Sequence, residues 1–105
     1  MQTERFVIVS NRPGDALFWR ELLELILAGA SLDLDLLVLF ELSALVSLSR
    51  NEKESRAWRQ LTDHQLATVR VVRRPGQEPD LPDWLEWVSA SQAETWRSER
   101  AEIHA

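Results

Sequence analysis

Residues 5–40 carry a strand–helix–strand pattern that leaves few folds open to this chain. Arg5-Phe6-Val7-Ile8-Val9-Ser10 is an unbroken apolar run, without the alternation of a strand that is wet on one face. It reads as a strand covered on both sides, the kind found in parallel sheets. Asn11-Arg12-Pro13-Gly14-Asp15 supplies the turn signals after it. A helical segment spans about residues 16–30 and closes near Gly29. A second buried strand spans residues 32–40, beginning as Leu32-Asp33-Leu34-Asp35 and becoming wholly apolar to Phe40. Strand, helix and strand of these lengths form a right-handed βαβ unit with parallel, neighbouring strands.

The rest of the chain continues in the same style. Residues 43–48 read as a short helix. Asn51 with Glu54 three residues on has helix-capping chemistry and predicts a helix over about 52–65. Val69, Val71 and Val72 mark a third strand, and Pro75 to Pro82 a polar, proline-rich loop. Trp84 to Ala90 reads mainly as strand. Ser91-Gln92-Ala93-Glu94 reads as a second capping box opening a last helix to about Glu99, and Ile103 belongs to a short terminal strand. With 105 residues there is enough chain for one core, so 1–105 is read as a single domain.

The first helix carries more apolar surface than one sheet face requires. Phe18, Trp19, Leu22, Leu23, Leu25, Ile26 and Leu27 cover an arc of about 200°, against a stripe of little over ~100° for a helix lying on a sheet. The excess is buried either by a neighbouring helix or by another subunit. Five tryptophans in so short a chain favour the subunit reading, because Trp is enriched at interface hot spots. Phe18, Trp19, Leu22, Leu23 and Ile26 are therefore the candidate interface residues.

The chain has no cysteine, which excludes thiol nucleophiles, persulfide carriers and thiolate metal sites. His64 and His104 lack metal-ligand spacing, and Asp33 and Asp35 alternate with leucines as solvent-facing residues do. No catalytic residue, cofactor or metal is expected. A net charge of −5 argues against direct nucleic-acid binding, although Arg70, Arg73 and Arg74 stand close together. No apolar run approaches the ~18–20 residues of a membrane span, and the opening residues lack the features of a secretion signal. The expected compartment is the cytoplasm.

Three segments together resemble the DsrE/DsrF-like superfamily, most closely its TusC (DsrF) branch. They are Arg5–Gly14, then Trp19–Ala30, then Asp33–Phe40: a strand with a short Pro-Gly loop, a helix with a small-residue end, and an acidic-apolar strand finishing in Phe. The likeness is good over residues 5–40 and weak but collinear to the end. The order and spacing carry it, not any single motif. The chain departs from the family at Glu41-Leu42-Ser43-Ala44, where an acidic-glycine turn is usual, and its Pro75–Pro82 loop is its own.

The resemblance implies a three-layer, flavodoxin-like α/β fold: a mostly parallel sheet of four or five strands flanked by helices. It also implies a non-catalytic subunit of a sulfur-relay complex of the TusBCD or DsrEFH kind, supporting 2-thiouridine formation at the tRNA wobble position or sulfur oxidation. Its partners would be DsrE/TusD-type and DsrH/TusB-type subunits, or further copies of itself, with no membrane involved. Two other readings follow from the residues. One is a small ligand- or anion-binding domain using Asn11, Arg12, Gly14 and Asp15, with Glu41 nearby, at the carboxyl ends of the strands. The other is a homo-oligomeric regulatory module that meets an acidic partner through the arginines of 70–74.

Overall fold

Alternate residues of each central strand enter two separate cores, which is why the strand sequences show no polar alternation. A computed structural model describes residues 5–10, 14–76 and 81–104. Its elements run β1 (Arg5–Ser10), α1 (Ala16–Ser31), β2 (Asp35–Phe40), α2 (Leu42–Ser49), α3 (Glu52–Asp63), β3 (Thr68–Arg73), β4 (Glu86–Ser89), α4 (Ala90–Ser98) and β5 (Ala101–His104). The strands form one five-stranded, all-parallel sheet in the order β4-β3-β2-β1-β5. Ile8, Val38, Phe40, Val69 and Val71 pack under α1, α2 and α3 on one face. Val7, Val9, Leu37, Leu39, Val72 and Val88 pack under α4 on the other. This is a flavodoxin-like, three-layer α/β architecture.

Much of the excess apolar surface of α1 is taken up inside the chain, although Leu25 and Leu27 stay exposed. Trp19 and Trp58 are fully buried, as is Phe40, and the three rings meet at centroid distances of 5.5, 5.9 and 5.3 Å. Such tilted and edge-on contacts suit the aromatic quadrupole and add to area burial. Leu22, Leu23 and Ile26 complete the same core, with Phe18 packed partly buried against it. The expectation of an interface through these five residues is thus corrected. α3 is the second surface that covers α1, and Trp19, Leu22, Leu23 and Ile26 are core. Nor do the five tryptophans overfill the fold, since Trp84, Trp87 and Trp96 pack partly buried against the two cores.

Element ends were shifted from their sequence-based positions by backbone bonding. Helix α1 passes Gly29 and ends at Ser31, and strand β2 begins at Asp35 instead of Leu32. The Asp33 amide bonds the Ala30 carbonyl and the Leu34 amide bonds the Gly29 carbonyl, with Asp33 at φ 58°. That is a Schellman closure, which uses residues 32–34 to satisfy the helix and leaves none for the sheet. Helix α3 closes in the same way, at Asp63 instead of Gln65, with Gln65 at φ 56° and amides 65 and 66 bonding the carbonyls of Thr62 and Leu61. The last helix starts earlier than the Ser91 capping box predicts: Ser89 is its cap, accepting from the Gln92 amide at 3.1 Å. Among the described residues, no helix is long and apolar enough to cross a membrane.

Candidate functional site

A doubly wound sheet offers its crevice outside the carboxyl ends of the strands, where the strand order reverses. Here the chain steps from β1 to β2, β3 and β4, then returns through α4 to β5 beyond β1, so the reversal lies between β1 and β5. Ser10 and His104 end the two strands that flank it. Ser10 is fully buried, and its Oγ has no hydrogen-bond partner among the described residues.

Of the loop proposed from sequence to bind a ligand, Asn11 and Arg12 lie outside the described residues. Gly14 and Asp15 have structural work. A Cβ on Gly14 would sit 2.1 Å from the Phe18 ring, so only glycine lets the loop lie against that side chain. The Gly14 amide donates to Ser47 Oγ at 2.8 Å, and Ser47 Oγ donates back to the Gly14 carbonyl at 2.6 Å. The same hydroxyl accepts from the indole N–H of Trp19 at 3.2 Å, and Trp58 donates its own indole N–H to the Trp19 carbonyl. Asp15 caps α1 through the Phe18 amide at 2.9 Å. Loop, α2 and the aromatic core are therefore one hydrogen-bonded unit.

On the α4 side of the carboxyl ends, charges gather that the sequence reading did not connect. Glu41 takes a two-pronged contact from Arg74, at 2.6 and 3.4 Å. Glu41, Arg74, Glu94 and Arg97 border a cavity of about 40 Å³, room for ordered water and little more. The hydrogen bond and charge of Glu41, with Glu94 further off, raise the proton affinity of the Arg74 guanidinium above its ordinary range. Arg97 in turn donates to Glu102, and this bond holds the Glu102 carboxyl below its usual range. One pair ties the ends of β2 and β3 together, and the other ties α4 to β5. Glu41 and Arg74 stand 33 positions apart in sequence, so no local motif announces their pairing.

A wider hollow of about 440 Å³ opens beside it, between Arg73, Arg74 and the start of α4 at Ser89–Ser91. Another, of about 430 Å³, lies at the amino end of β3 and β4 beside Trp84, Arg70 and Glu86. The arginines that sequence grouped are spread among partners: Arg70 pairs with Glu86 at 3.5 Å, Arg73 lies over the Trp87 ring, and Arg74 holds Glu41. They do not form one basic face for an acidic partner.

The two histidines sit at opposite ends of the sheet, His64 capping the end of α3 and His104 ending β5. No group of three or more His, Asp or Glu side chains among the described residues could hold a metal ion. Asp33 is exposed as expected. Asp35 is half-buried and engaged by Arg100 at 3.1 Å and by Arg5 at 3.5 Å. Fold and site together define a doubly wound parallel α/β domain with a Glu41–Arg74 pair just past the carboxyl ends of β2 and β3. No family model matches the sequence, and no curated protein matches it.

Proposed function

We propose that this chain is a non-catalytic subunit of a sulfur-relay assembly of the TusBCD or DsrEFH kind, shaping the complex while another subunit carries the sulfur. The likeness of residues 5–40 to the TusC branch supports the reading, and the all-parallel sheet flanked by helices agrees with what that likeness implies. The observation that carries it joins chemistry to surface. The chain holds no cysteine, yet Leu17 and Leu25 on α1 are 58 % and 52 % exposed, with Leu27 and Leu32 also in solvent. Large aliphatic side chains kept in water along one helix are suited to contact with a partner. The partners would be DsrE/TusD-type and DsrH/TusB-type subunits in the cytoplasm, and the destination of the sulfur would be wobble 2-thiouridine.

Co-expression with a cysteine-bearing DsrE/TusD-type subunit and a DsrH/TusB-type subunit tests this. A stable complex is expected, weakened by Leu17→Glu and Leu25→Glu, while the folded chain itself melts unchanged. Failure to associate with either subunit type would reject the reading.

A further inference from the structure

We infer that β5 is the contact edge for a second copy of this chain, which pairs with it antiparallel so that two sheets become one. This goes beyond the sulfur-relay reading and does not depend on it. β5 pairs with β1 alone, so among the described residues no strand lies on its outer side, and all four of its residues are exposed. An open edge presents a row of backbone donors and acceptors to another strand.

The side chains select both the occupant and the register. Val7 stands beside Glu102 and Val9 beside His104, which places Glu102 and His104 on the α4 face. Ile8 stands beside Ile103, which places Ile103 on the α1 face. A twofold axis normal to the sheet preserves the faces, so opposite residues must share a face and the axis must pass midway between a residue and its own copy. Centred on Glu102, the pairing would oppose like charges. Centred on Ile103, it sets Ile103 against its own copy and Glu102 opposite His104 twice. Within one chain Glu102 already accepts from Arg97 and lies 3.6 Å from His104; in this register the second copy's imidazole N–H faces the same carboxylate and can donate to it, whereas like charges directly opposite destabilise an antiparallel pair. The other edge lacks this self-complementarity: centred on Trp87 or Val88, β4 sets Glu86 opposite Val88 or Ala90, with no charged partner.

Light scattering on the purified full chain over a concentration series tests the inference, with melting curves recorded for every variant. A dimer is expected. His104→Glu opposes two carboxylates, and Ile103→Asp places a charge at the axis; each is expected to weaken the dimer by about tenfold or more. As a control, His104→Gln keeps a donor opposite Glu102 and is expected to leave the dimer largely intact. A wild-type chain that stays monomeric, a dimer indifferent to both His104→Glu and Ile103→Asp, or a dimer broken instead by Leu25→Glu would each overturn the proposal. A chain that dimerises through β5 but binds no relay subunit keeps this inference and removes the proposed function; the converse result does the opposite.

Discussion

Ser47 and Trp19 show how much of this fold rests on single side chains. The Ser47 hydroxyl serves the Gly14 amide, the Gly14 carbonyl and the Trp19 indole at once. Trp19 in turn fills the space between Phe18, Phe40 and Trp58. Trp19→Ala is therefore a folding mutation, expected to cost about 3–5 kcal/mol through the cavity it leaves. Urea denaturation with an unchanged slope would measure that loss. Ser10 offers the opposite case. Its buried Oγ lacks a partner among the described residues, so Ser10→Ala removes a desolvated hydroxyl and leaves the packing. It is expected to stabilise the chain by about 1 kcal/mol, and a lowered urea midpoint would show that the hydroxyl has a use. Neither residue's role was legible in sequence. Trp19 reads equally as core or interface until α3 is placed, and Ser10 simply ends a strand.

At the scale of elements, strands and helix caps were readable because their signals are local. The apolar runs of β1 and β2 and the Asn51 cap stand where sequence puts them. Where local signals competed, tertiary register decided. Ser89 and Ser91 both have capping partners three residues on. β4 pairs through Ser89, and burial of Ala93 against the sheet fits a helix starting at Ala90. Non-glycine residues at positive φ were also invisible, since Gln65 carries no turn signal. Its left-handed backbone costs ~1–2 kcal/mol that glycine avoids, partly offset by the greater chain entropy glycine loses on folding. Gln65→Gly is accordingly expected to stabilise the chain by about 0.5–1 kcal/mol in thermal or urea unfolding. The Arg97–Glu102 bond makes the α4–β5 pairing sensitive to acid. Because the folded Glu102 pKa is depressed, its contribution is present above the unfolded value of about 4.3 and disappears as pH falls through the folded value. Melting temperatures of wild type and Glu102→Gln should differ at pH 7 and converge toward pH 3. A gap that persists in acid would show that the bond does not act through charge.

Across the whole molecule, stability is expected to be graded from the centre of the sheet outward. β1, β2 and β3 are each paired on both sides and carry Val7, Val38 and Val69 with almost no exposure. β5 is four residues long, exposed along its length and held by β1, by the Arg97–Glu102 bond and by the Arg100 contact to Asp35 and the Phe6 carbonyl. Few buried contacts with a solvent-facing ladder mark a segment that opens locally, while the central strands exchange only on global unfolding. Native-state hydrogen exchange on dilute protein should therefore give Val7, Val38 and Val69 amides the full unfolding free energy and the β5 amides a clearly smaller one. Removing the clasp with Arg100→Ala should lower global stability by about 1–2 kcal/mol, a value discounted for the exposure of Asp35. It should lower β5 protection further, because the guanidinium joins β1 and β2 to the corner that leads into β5. Equal protection across all five strands would mean that α4 and β5 fold as one unit with the centre. The sheet's outer edge would then be as fixed as its core, and the separation of a rigid aromatic centre from a lightly held edge would be wrong.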